Sequence, residues 1–496
     1  MNPILATIED RALTYQQKLA GLARLAENSL SVLTVTPEAQ AYRDAGVICD
    51  LFEGEAPYRP RYIVPDYERF IKQGSAFLGV APPTDIWEAT AALLILYRHV
   101  PSITTFPVYL GDLDALLEPF VRDEAEARKA IGLFLLQIDR TINDSFCHAD
   151  IGPRETQAGR LILELSREQK NAVPNLTLKY DPELTPEPFA ELAAATALEV
   201  AKPSFASHRI FGADFRAMGF DDYAIVSCYN GLPKGGGSAT LVRLNLARLA
   251  PYAKDAEDLL ARVLPEAARL QLGYMDERVR FLVRESGFFE SSFLVKEGLV
   301  RADRVTGMFG LVGLAELVNA HAGGKRFGHD DEAEALGLRI IESLSELVRD
   351  HSCPYLTMNE GRYLMHAQVG IDSDSGISPG CRIPIGDEPE LPEHILRSAP
   401  YHAFFPSGIG DVFAFEPTAK ANPRQLLDIA KGALASGLRY FSAYAADADV
   451  VRITGYLVKR SEIERMNRGE ASLQDTTALG RNAVNNLGVL ERRIRS

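Results

Sequence analysis

The chain has 496 residues, of which 46% are hydrophobic and 24% are charged, a composition typical of a folded protein with a substantial core. Its formal net charge of -14 argues against nucleic acid or an anionic membrane as the main partner. The first ten residues lack the basic start and long apolar core of a signal peptide, and no apolar run reaches membrane-spanning length. We therefore predict a cytoplasmic protein that binds neither nucleic acid nor a membrane.

The first third of the chain is predicted to be mainly helical. Apolar residues recur there with the period of an α-helix, and clusters of proline and glycine separate the periodic stretches. The predicted helices cover residues 16–33, 88–97, 112–120 and 123–139. We treat residues 1–165 as a helical region that packs on the rest of the protein.

Five cysteines, at positions 49, 147, 228, 353 and 381, are scattered without a Cys-x-x-Cys pair. This spacing is typical neither of a disulfide framework nor of a zinc or iron–sulfur site, so we predict no metal in this chain. The segment Cys-His-Ala-Asp at 147–150 has metal-capable groups but no further ligands at a usable spacing. We interpret it as a buried thiol beside a surface histidine.

The middle of the chain combines strand and helix patterns. Residues 174–180 form a predicted strand, and a helix is predicted from Pro186 to position 199. The stretch 222–231 is predicted to be an apolar strand that ends in Ser227 and Cys228 and runs into a Gly/Pro turn. Because reactive groups in α/β folds lie in loops at strand ends, Cys228 is a candidate for chemistry; the alternative is a buried structural thiol.

A second unusual strand is predicted near the end of the chain, at 450–459, with Gly455 in its middle. Glycine weakens a strand because it has no side chain to pack and more backbone entropy to lose. One explanation is a bulge or a tight packing site. The other is radical chemistry: an α-carbon that has lost a hydrogen is stabilised when it flattens, and glycine flattens most easily because it has no β-carbon.

Several phrases together resemble those of glycyl radical enzymes. Arg-Ile-Thr-Gly-Tyr at 452–456 resembles the Arg-Val-x-Gly-Tyr signature of that family. Pro-Asn-Leu-Thr at 174–177 and Asp-Tyr-Ala-Ile at 222–225 resemble pyruvate formate-lyase-like enzymes, and Leu-Asn-Leu at 244–246 looks like anaerobic ribonucleotide reductases. The phrases at 380–386 and 405–411 look most like the YjjI family of glycyl radical enzymes.

This resemblance implies an α/β fold, a ten-stranded barrel of two parallel five-stranded halves with outer helices. The helical region at 1–165 would be followed by a barrel core at 166–445 and by a radical loop and C-terminal segment at 446–496. It also implies a homodimer. We expect residues 461–496, with a helical run at 477–495, to move when the radical loop is presented to another protein.

The resemblance also implies a mechanism. The cofactor would be a protein-based glycyl radical at Gly455, which takes hydrogen from Cys228; the resulting thiyl would abstract hydrogen from a small polar organic substrate, leading to C–C or C–O cleavage or dehydration. A radical S-adenosylmethionine (SAM) activating enzyme would generate the radical. The S-adenosylmethionine and the iron–sulfur cluster would belong to that partner, not to this chain.

Two departures from the better-known relatives narrow the chemistry. Ser227 stands where pyruvate formate-lyase has a second cysteine, and serine is a poor nucleophile without an adjacent base. Asn230 stands where the diol, glycerol and choline eliminases have a glutamate base, and an amide cannot take a proton. Cleavage of a 2-keto acid by the pyruvate formate-lyase route is therefore not expected, and any elimination needs another base.

Other polar residues near the family-like phrases are candidates for these tasks. The substrate-binding candidates are Ser227, Asn230, Arg382, His402, Ser407 and Glu416. The candidates for a base are His366, Asp387, Glu388, Asp411 and Glu416. Lys234 and residues 235–238 could form a nest of backbone N–H groups for an anion, although a flexible turn is the simpler interpretation.

Two alternative functions stay open. The Leu-Asn-Leu phrase suggests a nucleotide or nucleoside reductase-like enzyme, although the chain lacks the four zinc cysteines that such enzymes carry before the radical glycine: no cysteine follows position 381. The second alternative is a non-enzymatic binding barrel that retains the loops but not the chemistry.

Overall fold

A computed structural model describes residues 2–51, 53–103, 106–142, 144–367, 374–474, 484 and 488–496. The helices in this part of the chain are α1 Pro3–Glu9, α2 Tyr15–Glu27, α3 Pro37–Asp44, α4 Tyr67–Gln73, α5 Ile86–Tyr97, α6 Leu113–Leu117, α7 Glu124–Thr141, α8 Gln157–Gln169, α9 Glu187–Val200, α10 His208–Ala217, α11 Leu246–Leu249, α12 Ala256–Asp258, α13 Leu264–Arg284, α14 Phe288–Ser291, α15 Phe293–Lys296, α16 Leu314–His321, α17 Asp331–Arg349, α18 Leu391–Ser398, α19 Pro423–Ala435 and α20 Arg460–Asn467. None of them combines the length and the apolar character that a membrane crossing requires.

The strands in the same part of the chain are β1 Ile48–Cys49, β2 Tyr62–Val64, β3 His148–Ile151, β4 Asn175–Tyr180, β5 Ser204–Ser207, β6 Ala224–Val226, β7 Asn230–Leu232, β8 Gly236–Asn245, β9 Val305–Val312, β10 Leu364–Ala367, β11 Asp411–Phe415, β12 Tyr440–Ala445, β13 Val450–Arg452, β14 Leu457–Lys459 and β15 Ile494–Arg495. They form two larger sheets and two hairpins.

The two sheets are built around groups of parallel strands. In the first sheet β8, β9 and β10 run parallel, and β1 and β2 pair antiparallel with β8. In the second, β3, β4 and β5 run parallel, β12 pairs antiparallel with β5, and β11 and β15 continue in parallel from β12. Backbone hydrogen bonds from Ala367 to Gly408 and from Ser407 to Met365 link β10 to the segment before β11. The predicted α/β class is confirmed.

The central strands are enclosed on both faces. Every residue of β3, β4, β5, β8, β9, β11 and β12 is buried, as expected when connecting helices cover a parallel sheet. Helices α8, α9 and α19 are the connections between successive strands of the second sheet, and α13 packs on β8. The polar residues of these strands therefore lie in the interior of the protein.

Most of the predicted elements are present with shifted ends. The helix predicted at 16–33 begins at Tyr15, where Thr14 and Gln17 form a capping box, and ends earlier, at Glu27. The other predicted helices correspond to α5, α6 with the 3-10 turn that follows it, α7 and α9, and the strand predicted at 174–180 is β4.

The strand predicted to end at Ser227 and Cys228 is β6, which turns at 227–229 and pairs with β7 as a hairpin. The single strand predicted at 450–459 is wrong, because these residues fold back on themselves as the hairpin β13–β14. All residues of the four hairpin strands are buried, apart from a half-buried Lys459, which explains why most of them are apolar. A strand and a short hairpin contain the same residue types, so the local pattern cannot distinguish them.

Three smaller predictions also need correction. Gly236, Gly237 and Ser238 pair with β2 as part of β8, so they form no anion nest. His148 is completely buried instead of lying at the surface. Much of the helix predicted at 477–495 lies outside the described residues, but 489–491 form a 3-10 turn and 494–495 form β15.

A cluster of buried charges joins β3 and β4 to the base of the β6–β7 hairpin. Lys179 in β4 contacts Asp112 at 2.7 Å and Asp150 at 3.2 Å and donates to the carbonyl of Tyr223 at 2.8 Å. Burial raises the pKa of Asp150, to about 7, and the pKa of Asp112 stays below its ordinary range, despite burial, because two ammonium groups lie beside it. The second ammonium is that of Lys234, which is thereby bound to protein carboxylates.

We predict that Lys179→Met destabilises the protein by about 3 kcal/mol, because it leaves two buried carboxylates short of a cation. The measurement is the free energy of unfolding in urea. Lys420→Met is the matched control, since Lys420 pairs with Asp447 near the surface, and it should change stability by less than about 1 kcal/mol. Equal effects of the two substitutions would contradict a structural role for the buried cluster.

Candidate active site

The β6–β7 and β13–β14 hairpins meet at their tips in the interior of the protein. Residues 227–229 turn between β6 and β7, and residues 453–456 turn between β13 and β14. Gly455 packs directly on Cys228: a β-carbon built on Gly455 would lie 2.5 Å from Sγ and 3.1 Å from Cα of Cys228. Gly455 and Cys228 are the two residues that the sequence pattern predicts to act together, and the fold brings them into contact.

Close approach, rather than turn geometry, explains the glycine. Gly455 is not among the residues with positive φ, so other residues could also adopt its φ angle. A side chain at this position would instead collide with Cys228. Both tips are shielded from solvent, because Cys228 is only 4% exposed and the residues around Gly455 are buried.

The cysteine tip is held through its backbone carbonyls. Nδ1 of His148 lies 3.0 Å from the carbonyl oxygen of Ser227, and Nε2 lies 2.6 Å from Oγ1 of Thr177. The Tyr440 hydroxyl lies 2.9 Å from Thr177 Oγ1 and donates to the carbonyl of Cys228 at 3.0 Å. Ser227 has φ of 59°, a left-handed conformation uncommon for serine, which these contacts stabilise.

His148 is neutral in this network. Burial lowers its pKa to about 3, and Nδ1 must carry the proton because it faces a carbonyl oxygen. Nε2 is then an acceptor for the hydroxyl of Thr177. The imidazole thus acts as a fixed bridge between β4 and the cysteine tip.

The glycine tip is held by a separate set of bonds. The carbonyl oxygen of Gly455 accepts from Nδ2 of Asn175 at 3.0 Å and from the Arg452 guanidinium at 3.2 Å. Arg452 is completely buried and also donates to Oδ1 of Asn175 and to the carbonyl of Ala201. The hydroxyl of Ser145 donates to the carbonyl of Leu457 at 2.7 Å and accepts from its N–H at 3.1 Å.

The C-terminal segment also binds the glycine hairpin. The buried Arg492 donates to the carbonyl of Arg452 at 3.1 Å and to that of Ile453 at 3.0 Å. Three residues later, Arg495 belongs to β15 and donates to Nδ1 of His394 at 2.9 Å. The last residues of the chain are thus tied to the turn that carries Gly455.

The Cys228 thiol lies in an apolar and cationic environment. Burial raises its pKa to about 12, even though the nearby Ser227 hydroxyl and the guanidinium groups of Arg452, Arg382 and Arg61 favour the thiolate. The apolar neighbours in its cluster include Met358, Leu364 and Tyr440. The group at the tip of the hairpin is therefore a protonated thiol at neutral pH.

Of the predicted substrate-binding residues, four lie in or beside the cysteine hairpin. Ser227 Oγ is 3.8 Å from Sγ of Cys228. Asn230 is buried and donates from Nδ2 to the carbonyl of Val226 at 2.8 Å. The carbonyl of Ser407 accepts from the N–H of Gly231 at 3.0 Å, and its hydroxyl donates to the carbonyl of Met365 at 2.7 Å. Arg382 places its guanidinium 5.7 Å from the ring centre of Tyr229.

The structure places the other two elsewhere. His402 is buried, and its Nδ1 accepts the backbone N–H of Arg439 at 2.8 Å, a contact that supports the start of β12. Burial lowers its pKa to about 3. Glu416 is exposed at the end of β11 and accepts from Thr418 at 3.3 Å, so it lies outside the buried cluster around Cys228.

The candidates for a general base have similar constraints. Asp411 accepts from His394 at 2.7 Å, from Ser398 at 3.2 Å and from the backbone of Val412 at 2.7 Å, and although burial acts in the opposite direction, His394 holds its pKa well below the ordinary range. Asp387 pairs with Arg326 at the surface, and Glu388 accepts the N–H of Gly386. His366 is buried with Nδ1 3.1 Å from the Ser407 carbonyl and its ring 5.6 Å from that of Tyr229.

Sequence reasoning missed the residues that hold the two tips. Asn175 and Thr177 lie inside the Pro-Asn-Leu-Thr phrase, and their spacing of two puts them on one face of β4. Lys179 continues that face, so the alternation of polar and apolar residues in β4 was the available signal. Arg452 lies within the glycine phrase itself. For His148 and Tyr440 no sequence pattern indicates the role.

The neutral state of His148 leads to a prediction on pH dependence. The folded pKa of about 3 lies below the value of about 6.5 for an unfolded chain, so the unfolded state binds an extra proton and stability falls as pH decreases through this range. His148→Gln removes this proton, and the slope of unfolding free energy between pH 6 and pH 4 should decrease by about 1.4 kcal/mol per pH unit. Urea unfolding at three pH values measures it.

The exposed His99, replaced in His99→Gln, is the matched control for this slope. Loss of contacts in His148→Gln lowers stability at every pH, but it does not alter the slope. An unchanged slope in the variant would show that His148 becomes protonated in the folded protein.

Comparison with known sequences extends over almost the whole chain. A family profile described as "Glycyl radical enzyme YjjI-like" matches residues 13–495. A protein of Haemophilus influenzae, described as "Uncharacterized protein", is 44% identical over 505 aligned residues that cover 100% of this chain and 98% of the relative. "Uncharacterized protein YjjI" of Escherichia coli is 44% identical over 491, covering 97% and 94%.

Solved structures share the architecture at low sequence identity. Hydroxyproline dehydratase from Clostridioides difficile matches with a TM-score of 0.70 at 12% identity, covering 99% of this chain and 88% of that one. The anaerobic ribonucleotide reductase from Thermotoga maritima matches with 0.67 at 12%, covering 94% and 90%. The B12-independent glycerol dehydratase from Clostridium butyricum matches with 0.64 at 12%, covering 84% and 67%. The fold is thus that of the glycyl radical enzyme barrels, and the chain belongs to the YjjI-like glycyl radical enzyme family.

Proposed function

We propose that the protein is a radical enzyme in which Gly455 stores the unpaired electron and Cys228 transfers it to a small polar organic substrate. The observation that carries this proposal is the direct packing of the Gly455 backbone on the Cys228 side chain, with Sγ in the space that a β-carbon would occupy. No transfer over a distance is needed, because the donor and the acceptor of the hydrogen atom are in contact.

The state of the thiol suits this role. Hydrogen-atom transfer needs an S–H bond, whereas nucleophilic catalysis needs a thiolate. Burial raises the pKa of Cys228 to about 12, and the nearest polar side-chain partner is the hydroxyl of Ser227, which is no general base. This environment supports a hydrogen donor and disfavours an attack of sulfur on a carbonyl.

The cycle is balanced in atoms and electrons. The radical at Gly455 takes the thiol hydrogen and becomes an ordinary glycine, and the sulfur radical takes a hydrogen from a carbon of the substrate. The substrate radical then breaks a C–C or C–O bond or loses water. The product radical recovers the hydrogen from the thiol, and the thiyl regenerates the radical at Gly455. The reaction consumes no external oxidant or reductant.

Asn230 limits the eliminations that are possible. It lies two residues after Cys228 and is buried with Oδ1 unbonded within the described part of the chain. This oxygen can accept a hydrogen bond from a substrate hydroxyl but cannot remove its proton. Dehydration of the type performed by the solved dehydratases would therefore need another base. C–C cleavage and a C–O cleavage that uses no base are both compatible with the cysteine hairpin.

Activation requires a partner, which we propose to be a radical SAM enzyme that supplies the S-adenosylmethionine and the iron–sulfur cluster. Gly455 is buried, so the β13–β14 hairpin must leave its site for another active site to reach the α-carbon.

We place this chemistry in the cytoplasm, which suits five free cysteines. The homodimer stays a prediction.

The nucleotide reductase alternative is weaker. The likeness to the Thermotoga maritima enzyme, at 12% identity, concerns the fold alone. The binding-barrel alternative gives no reason for a thiol packed on a bare backbone carbon. Radical formation separates the binding barrel from both kinds of enzyme, and stabilisation by nucleotides would separate the two enzymes.

The decisive test is anaerobic activation followed by electron paramagnetic resonance. We expect a glycyl signal in the wild-type protein and its complete loss in Gly455→Ala. The substitution removes the residue that carries the radical, and the added β-carbon collides with Cys228. Cys228→Ala should keep the signal and lose all turnover. Turnover retained in Cys228→Ala would remove this thiol from the mechanism, and a competent activating enzyme that produces no signal in the wild type would support the binding barrel.

The contacts of Arg492 lead to a prediction on activation. Arg492→Ala removes two charge-assisted hydrogen bonds to the glycine hairpin, each worth about 1.5–3 kcal/mol, and should increase the initial rate of radical formation about tenfold. The adjacent Arg493 binds Glu390 and the carbonyl of Glu388 instead, so Arg493→Ala is a matched control. Early time points of the radical signal measure the rate. Equal rates in both variants would show that Arg492 does not restrain opening.

A further inference from the structure

Arg382 is a buried cation with an incomplete set of partners. The residue is 8% exposed, and its Nε donates to the carbonyl of Gly410 at 2.7 Å. Its two terminal nitrogens, Nη1 and Nη2, are buried and have no hydrogen-bond partner among the described residues. A guanidinium fork in this state has lost its hydration without replacement, which is unfavourable unless a ligand supplies the acceptors.

The nearest carboxylate does not satisfy this fork. Asp411 Oδ1 lies 4.0 Å from Nε, which is beyond hydrogen-bonding distance. Its two oxygens already accept from His394, Ser398 and the backbone N–H of Val412. The pairing of Asp411 is thus directed to the α18 side, and the outer edge of Arg382 has no counter-charge from it.

The two other arginines near the thiol differ in this respect. Arg452 uses both terminal nitrogens on Asn175 and on backbone carbonyls. Arg61 forms an ion pair with Glu53 at 3.1 Å. Of the three guanidinium groups that act on Cys228, Arg382 is the one whose terminal nitrogens are both unbonded within the described residues.

The open fork lies next to the reactive tip. Its guanidinium is 5.7 Å from the ring centre of Tyr229, the residue that follows Cys228. Arg382 binds Gly410, and two residues earlier the backbone of Gly408 packs against Asn230, so that a β-carbon on Gly408 would lie 3.3 Å from its Cα. The segment 408–410 thus contacts both Arg382, which has two unused donors, and Asn230, which has an unused acceptor at Oδ1.

The orientation of the Asn230 amide follows from its contact. The atom that faces the carbonyl of Val226 at 2.8 Å must be the nitrogen, because two oxygens would repel each other. The atom without a partner is therefore the oxygen. A ligand that completes this site offers an anion to the arginine and a hydroxyl or amine hydrogen to the asparagine.

We propose that the substrate is a small anion, with a carboxylate or phosphate bound by Nη1 and Nη2 of Arg382 and a hydroxyl or amine that donates to Oδ1 of Asn230. That this anion is the substrate rests on the proposed function. The anion site itself does not, since it is present in the protein without a radical. A planar guanidinium fork binds two oxygens of a carboxylate or phosphate at once, which gives both affinity and orientation. The hydroxyls of a neutral diol can also accept from the fork, but they supply no counter-charge.

The test is thermal stabilisation of the full-length, radical-free protein at constant ionic strength. Acetate, glycolate and lactate serve as carboxylate probes, inorganic phosphate as the phosphate probe, and glycerol and 1,2-propanediol as neutral probes. We expect at least one anion to raise Tm by several degrees relative to chloride, and glycolate or lactate to exceed acetate because of the added hydroxyl. The stronger of the carboxylate and phosphate arms identifies the anion.

Variants assign the effect to the site. Arg382→Gln should abolish the anion-dependent shift, and Asn230→Ala should remove only the advantage of glycolate over acetate. Cys228→Ala should retain the full shift, and so should the control Arg209→Gln, which removes an exposed arginine. Circular dichroism and the ligand-free Tm establish that each variant is folded. Should Arg382→Gln fail to fold, Arg382→Lys replaces it, because lysine keeps the charge but not the fork. The apparent affinity for the anion, taken from the Tm shift, should then fall at least tenfold.

Three outcomes overturn the proposal: no anion stabilises the wild type, the neutral diols stabilise it as much as the anions, or Arg382→Gln responds like the wild type. The result is independent of the radical. Anion binding without a glycyl signal would refute the proposed function and keep this site, whereas a glycyl signal without anion binding would do the reverse.

Discussion

The contact between the backbone of Gly455 and the side chain of Cys228 is the constraint on which the rest of the site depends. It requires a residue without a β-carbon, two hairpins whose tips meet in the interior, and fixed positions for both tips. A hairpin tip in water is satisfied by solvent, but here every carbonyl must find a donor within the protein. Asn175, Arg452 and Arg492 supply donors to the glycine hairpin, and His148 and Tyr440 supply them to the cysteine hairpin.

The polar face of β4 is central to this solution. All six of its residues are buried, so the alternation in Asn-Leu-Thr-Leu-Lys-Tyr separates an apolar face toward the helices from a polar face toward the interior. Along that polar face, Asn175 binds the glycine tip, Thr177 binds the histidine under the cysteine tip, and Lys179 neutralises the carboxylates at the base of the cysteine hairpin. One strand thereby positions both hairpins relative to each other.

Rigidity and access are in conflict at this site. The same bonds that hold Gly455 against the thiol also keep it buried, and Arg492, two residues before β15, adds to that restraint. Among the described strands, β13 and β14 pair only with each other, so this hairpin can leave as a unit, whereas each core strand is bonded to neighbouring strands of its sheet. In the proposed function, the opening for activation would thus be confined to this one hairpin.

The amino-acid sequence by itself determined the α/β class, most helices, and the pair Gly455 and Cys228, because the phrases around those residues are local. It also placed Arg382 among the residues to consider. Local patterns could not distinguish a strand from a buried hairpin, and they assigned His148 to the surface. Only the tertiary structure decided that His402 supports β12, that Glu416 lies outside the buried cluster, and that His148 bridges β4 and the cysteine tip. Those roles depend on contacts between residues far apart in the chain and on burial. Both are properties of the whole fold and cannot be inferred from a local pattern.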